Sequence, residues 1–142
     1  MIGGKAVTGI LHLFCQTPMD WFSKLQSAVE TAAFGSEHVA ARTCTEHVIN
    51  LHLTLHCLRV PIDRRTVVFG DNESIVDSAA VPHSKMHKRW VALSCHQVRW
   101  ALAVGIINVH HVSSKGELSG HTKQTLGSAL CLGDDEATPL LA

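Results

Sequence analysis

The chain lacks an excess of charge of either sign, because 12 basic side chains balance 12 acidic ones over its 142 residues. This balance disfavours a protein that attracts nucleic acid through its overall field, although a local basic patch remains compatible with it. The length fits a single domain. The composition therefore directs attention to local motifs.

Paired cysteines and long apolar runs are also missing. The five cysteines include no CxxC pair, so the spacing indicates neither a zinc finger nor a disulfide framework. No apolar run approaches the ~18 residues of a membrane span. His12 interrupts the apolar start, and no small-x-small cleavage site follows it. We therefore expect a reduced, intracellular protein of the cytoplasm or nucleus, without a signal peptide or membrane segment.

Hydrophobic periodicity and chain breakers predict an α/β chain in the order β-β-α-β-α-α-β. The predicted strands cover residues 7–14, 19–23, 66–69 and 106–112, and the predicted helices cover about 33–59, 73–78 and 87–104. Pro61 is expected to end the first long helix, and Gly105 is expected to cap the last helix. We expect a domain over residues 1–112. Residues 113–142 have no clear period, which predicts a loop or a disordered tail.

Glu37 is the first candidate site residue, because it shares a helical stripe with apolar residues. The stripe consists of Glu37, Cys44, Val48, Leu51, Leu55 and Leu58. A carboxylate at the end of an apolar face needs a partner, which favours a functional role. An equally simple interpretation is a first-turn glutamate that the helix dipole favours.

Asp71 is the second candidate, because it follows the short apolar run at 66–69 and the glycine at 70. Open α/β sheets place their chemistry at the carboxyl ends of strands. The simpler interpretation, and the stronger one for this motif alone, is an N-cap of the short helix that follows.

Several segments together resemble the RNase H-like domain of copia-type retrotransposon Pol polyproteins. Residues 21–26 (WFSKLQ) are similar to the family's W-x-S-K-x-Q strand, and residues 29–42 (VETAAFGSEHVAAR) to the segment with an E-A-E-Y core. Residues 69–74 (FGDNES) resemble C-D-N-x-S, and residues 81–89 (VPHSKMHKR) with 96–99 (HQVR) resemble H…K-H-I-D…H-x-V-R. The order and spacing of these motifs over residues 7–112 carry the resemblance.

The resemblance implies a mixed RNase H-like sheet with flanking helices, in which Glu37 and Asp71 are catalytic carboxylates and metal ligands. Such carboxylates bind Mg²⁺, which prefers oxygen ligands. Two ions about 4 Å apart can activate a water and stabilise the leaving oxygen of a phosphodiester. The family uses this chemistry to cut the RNA strand of an RNA–DNA hybrid, and the rest of a Pol polyprotein is the other partner it implies.

The sequence also departs from the family pattern. The family's first, central strand carries an Asp and has no counterpart here, so we expect a truncated, degenerate copy with two unpaired strand edges. Gly120 stands where the last Asp of the family belongs, and Glu117 is a poor substitute. Trp90 and Ala92 replace the His and Asp of the K-H-I-D region. With two of four carboxylates absent, we expect weak Mg²⁺ binding and no cleavage.

A nucleic-acid-binding module without catalysis, or a purely structural remnant, is the alternative function. Lys85, His87, Lys88 and Arg89 form a short basic cluster that phosphate contacts would explain. A solvated helix start explains the same run of charge, and a run this short favours that simpler explanation.

A histidine metal site is a further alternative, because His52 and His56 are i,i+4 neighbours on the predicted helix. His47 falls on another side of that helix. No third ligand and no H-E-x-x-H motif accompany the pair, so exposed histidines are the favoured interpretation.

Overall fold

The computed structural model describes residues 6–15, 17–27, 33–70, 73–80, 89–111 and 123–130. Within these residues it is a mixed α/β structure of three helices and five strands. The elements are β1 (Val7–Phe14), β2 (Thr17–Leu25), α1 (Ala33–Cys57), β3 (Thr66–Gly70), α2 (Glu73–Ala80), α3 (Arg89–Val104), β4 (Ile107–His111) and β5 (Lys123–Leu130). The predicted order is confirmed for the first seven elements, and β5 is an addition.

The chain starts with an antiparallel hairpin, which is formed by the first two predicted strands. Ile10 lies opposite Phe22 and His12 opposite Asp20, and the register shifts between His12 and Leu13. Cys15, which follows β1, has a φ of 48°, and β2 begins at Thr17, two residues before the predicted start of this strand. Alternate residues of β1 are buried, which is the period of a strand with one face on the core.

Strand β5 joins the hairpin to the rest of the sheet. The five strands lie in the order β2-β1-β5-β3-β4. β5 runs parallel to β1 and antiparallel to β3, while β3 and β4 are parallel. The hairpin and the β3–β4 pair are therefore two small sheets that meet only through β5 among the described strands.

Two expectations from the sequence are corrected by β5. The segment at 123–130 was expected to be loop or disordered, yet it is a strand with neighbours on both sides. The place between the hairpin and β3 was expected to be vacant, with unpaired edges, and β5 fills it. The hairpin and β3 do not pair directly, because β5 lies between them.

Helix α1 buries one face against the sheet and α3. Ala40, Cys44 and Val48 on this face are fully buried, and Ala41 is nearly so. The predicted stripe holds at Cys44 and Val48. It is wrong at Leu58, which is 68% exposed because the helix ends at Cys57 and the chain turns away.

A residue in the left-handed conformation follows each long helix, and the backbone amides after the helix donate hydrogen bonds to its last carbonyl groups. After α1, Arg59 has a φ of 58° and the Val60 amide donates to the Leu55 carbonyl. After α3, Gly105 has a φ of 88° and the Ile106 amide donates to the Ala101 carbonyl. These bonds close the helices in the manner of a Schellman cap, and the predicted cap at Gly105 is confirmed.

The helices contact one another and form a layer on the sheet. α1 contacts β1 and β5, whereas α2 and α3 contact β4. The buried core is formed by Ile10, Ala40, Ala41, Cys44, Val48, Val68, Ile75, Val98, Ala101 and Ile107. Of the helices in the described residues, none is long and apolar enough to cross a membrane.

A proline in β5 tests whether this strand joins the two parts of the sheet. Ser128 lies opposite His12 on β1 and opposite Val68 on β3. Because β5 has neighbours on both sides, Ser128→Pro removes an amide that the ladder uses. We expect a loss of more than about 2 kcal/mol in the free energy of unfolding. Chemical denaturation followed by circular dichroism measures it.

Ser128→Ala is the matched control for this substitution. It keeps the backbone amide and adds no bulk, so its effect on the free energy of unfolding should be much smaller. Equal effects of the two substitutions would contradict the position of β5.

Candidate functional site

Gln26 fixes the start of α1 to the open end of the hairpin. Its side-chain amide donates to the Thr8 hydroxyl on β1 and to the Ser36 carbonyl on α1, both at 2.9 Å. Its backbone amide also donates to the Ala6 carbonyl at 2.8 Å. Gln26 is buried, so these bonds form away from water, where an unmade hydrogen bond costs most. They set the position of the residue that follows Ser36 on the helix.

That residue is Glu37, which lies half-buried at the N-terminal end of the buried face of α1. Ala41 and Cys44 continue the same face at the next two turns. The helix begins at Ala33, so its first turn holds no acidic residue and Glu37 comes after that turn. The explanation of Glu37 as a first-turn residue is therefore wrong, while its predicted place on the buried stripe is confirmed.

The other predicted site residues lie mostly outside the described residues. Asp71 follows the last residue of β3 in the sequence, but its placement is not described, and neither is its distance from Glu37. Lys85, His87 and Lys88 are likewise outside the described residues. Arg89 is described, and it is the exposed first residue of α3.

The two histidines of the i,i+4 pair on α1 have different surroundings, and the favoured interpretation of exposed side chains is wrong for His52, which is half-buried. His52 lies 2.6 Å from the Thr66 hydroxyl, between a ring nitrogen and the side-chain oxygen, so it connects α1 to the start of β3. His56 is exposed. Among the described residues, no three His, Cys, Asp or Glu side chains are grouped so that they could hold a metal ion.

A cleft between the hairpin and α1 is the site feature that the sequence did not predict. It measures about 260 Å³ and is lined by His12, Met19, Asp20, His47, Asn50, Leu51 and Thr54. The rings of His12 and His47 stack with their centroids 5.7 Å apart. Phe22 meets His47 edge-on at 4.7 Å. The alternation of side chains along β1 places His12 on the buried face with Thr8 and Ile10. This alternation in the sequence could have indicated that His12 is buried.

Burial lowers the pKa of three described histidines, His12, His38 and His52. The pKa of His12 lies below its ordinary value because of burial and the neighbouring His47, against a smaller upward effect of Asp20. The pKa of His38 is lowered by burial and then by the Arg99 guanidinium on α3. A buried imidazole resists protonation because the charge loses its hydration. These rings therefore act as neutral aromatic groups of the core.

The buried cysteines are inert for a similar reason. Burial raises the pKa of the Cys44 thiol to about 12. Burial also raises the pKa of Cys95, against a smaller opposite effect of Arg99. Since the thiolate is the nucleophile, neither side chain is suited to attack a substrate.

Comparisons with known proteins identify no relative. The chain matches no protein-family model. It also matches no curated protein and no solved structure.

Removing the Gln26 amide should destabilise the protein. In Gln26→Ala the Ser36 carbonyl and the Thr8 hydroxyl lose their shared donor in a buried site. We expect a loss of about 1–3 kcal/mol in the free energy of unfolding. Ser27→Ala, at the exposed neighbouring position, is the control and should change it by less than about 0.5 kcal/mol.

Gln26→Glu separates hydrogen bonding from size at the same position. An ionised Glu is an acceptor only, so it faces the Ser36 carbonyl without a proton to donate. The variant should be less stable than the wild type at pH 7, and this deficit in the free energy of unfolding should shrink as the carboxyl is protonated. A variant as stable as the wild type at pH 7 would contradict the role assigned to Gln26.

Stability should fall on acidification below the ordinary histidine pKa. The pKa values of His12 and His38 are lowered in the folded protein from 6.5. Between the folded and unfolded values only the unfolded chain binds the protons, so the free energy of unfolding decreases as the pH falls below about 6.5. Above that value this contribution is fully present.

Denaturation at pH 7.5 and pH 5.5 measures this dependence. The free energy of unfolding should differ less between the two pH values in His38→Gln than in the wild type, because the substitution removes one proton-binding group from both the folded and the unfolded state. Leu93→Ala, at an exposed position of α3 without a titratable group, is the control and should leave the pH dependence of the free energy of unfolding unchanged. A wild-type protein equally stable at both pH values would refute the assignment.

Proposed function

We propose that the chain is an RNase H-like domain of the copia-type retrotransposon family that keeps the architecture without the nuclease chemistry. The order of its elements supports this proposal. An antiparallel hairpin is followed by a long helix, and a parallel strand pair stands on the far side of a central strand. The resemblance at residues 21–26 and 69–74 implies the same order of elements along the chain.

The identity of the central strand carries the proposal. In the family, the central position of the sheet, between the hairpin and the next strand, is occupied by a strand with a catalytic Asp. Here it is occupied by Lys123–Leu130, whose sequence KQTLGSAL contains no Asp or Glu. A strand that directly preceded β1 and lay beside it would be connected by a tight turn and run antiparallel to it. β5 instead runs parallel to β1, so it is a substitute from another part of the chain.

The remaining carboxylates do not fit the family's Mg²⁺ centre. Glu37 on α1 and Asp71 after β3 are the two that match the motifs, and the strand between the hairpin and β3 adds none. Mg²⁺ demands near-ideal octahedral geometry and dehydrates reluctantly, so a reduced set of carboxylates holds it weakly. We therefore assign no metal-dependent step to this chain.

Binding of an RNA–DNA hybrid without cleavage is the second candidate function. The exposed Arg89 at the start of α3 favours it, because it is the described member of the basic cluster 85–89. Contacts of this kind reach phosphates and weaken steeply as salt is added.

The cleavage assay uses a labelled RNA–DNA hybrid with Mg²⁺ and, separately, Mn²⁺. We expect no cleavage by the wild-type chain and none by Asp71→Asn or Glu37→Gln. Mn²⁺ is the more demanding test of the loss of activity, because it tolerates an incomplete set of oxygen ligands better than Mg²⁺, which requires near-ideal octahedral geometry. If the wild-type chain cleaves the hybrid and Asp71→Asn does not, the proposed loss of activity is wrong.

A binding assay without metal ion tests the second candidate. It compares the hybrid with duplex DNA in a salt series. Arg89→Glu should weaken binding of the hybrid, whereas Arg59→Glu, at an exposed position after α1, should not. Absence of hybrid binding at low salt would exclude the binding function and leave a structural remnant.

A further inference from the structure

We propose that the chain forms a symmetric dimer by antiparallel pairing of β2 with β2 of a second copy. β2 is an end strand, and of the strands that the structure describes only β1 pairs with it. Every residue of β2 except Phe22 is exposed, and Trp21 reaches 77% exposure. An exposed edge with large apolar side chains is a template for pairing with another chain.

The backbone of β2 has one set of hydrogen-bonding groups that points away from β1. The Gln26 amide donates to the Ala6 carbonyl, so residues of even number turn their backbone groups toward β1. Trp21 belongs to the other set, and its amide donates to the Asp20 carboxylate at 2.9 Å instead of to a strand. Trp21 and Ser23 therefore present backbone groups to the open side.

The charge pattern of β2 is complementary to itself in one register. When Phe22 lies opposite Phe22 of the second copy, Asp20 lies opposite Lys24 on both sides of the two-fold axis. The outward groups of Trp21 then meet those of Ser23 in reciprocal hydrogen bonds. The Asp20 carboxylate gives up its hydrogen bond with the Trp21 amide and forms an ion pair with Lys24 of the second copy.

Neighbouring registers lack this match. A shift of the pairing centre to Asp20 or to Lys24 places like charges directly opposite each other, which destabilises a strand pair. In the matched register the small side chain of Ser23 lies opposite Trp21 and leaves room for the indole ring. Lysine on an edge strand usually discourages pairing, and here Asp20 offsets it.

The irregularity near the turn limits the length of the interface. The register between β1 and β2 shifts beside Leu13, and Pro18 cannot donate a backbone hydrogen bond. Regular pairing therefore covers Asp20–Lys24 and its immediate neighbours. An interface this short lies below the roughly 1,200 Å² of stable complexes, so we expect a weak dimer that requires high protein concentration.

Charge exchange tests the proposal with the full chain. Sedimentation equilibrium in a reducing, low-salt buffer should give a monomer–dimer equilibrium for the wild type that weakens as salt is added. Asp20→Lys and Lys24→Asp should each weaken the dimer roughly ten-fold or more, because both place like charges opposite each other. The double substitution Asp20→Lys/Lys24→Asp should restore it.

Mixing the two single variants keeps the test valid if either substitution affects stability. Asp20→Lys and Lys24→Asp should form a heterodimer with each other, although each alone stays monomeric. Ser23→Ala is the control and should dimerise like the wild type. A monomeric wild type at several hundred micromolar, a dimer insensitive to the single substitutions, or a mixture that does not associate would each overturn the proposal.

Discussion

The double pairing of β5 is the constraint on which the rest of the structure depends. The hairpin and the β3–β4 pair share no ladder, so their alignment is determined by the strand that pairs with both. A two-stranded piece is only marginally stable in water, whereas a five-stranded sheet can support the helices. α1 contacts β5 as well as β1, so the position of the long helix on the sheet also follows from this strand.

Gln26 connects this sheet to the functional proposal. Its two side-chain bonds join β1 to the first turns of α1 and thereby place Glu37 at the end of the buried face. The chain thus presents one carboxylate from the helix, while the strand in the central place contributes none. The proposed function rests on this contrast between Glu37 on the helix and a central strand without a carboxylate.

The sequence predicted elements wherever a local pattern or a breaker defined them. The apolar period of α1, the run at Thr66–Phe69 and the cap at Gly105 are examples, because each depends on neighbours in the sequence. β5 escaped prediction because KQTLGSAL has no apolar alternation, and its pairing with distant strands determines its structure. The Gln26 bonds and the His12–His47 stack join residues far apart in sequence, so periodicity could not reveal them.

Nuclear Overhauser effects between β5 and its two neighbours test the central claim most directly. The account predicts contacts from the backbone of Thr125–Gly127 to Gly9–Leu11 on one side, and from Gly127–Ala129 to Val67–Phe69 on the other. It also predicts slow amide exchange along β5, comparable with that of β3. Contacts of residues 123–130 only with their sequence neighbours, together with fast exchange, would contradict the account.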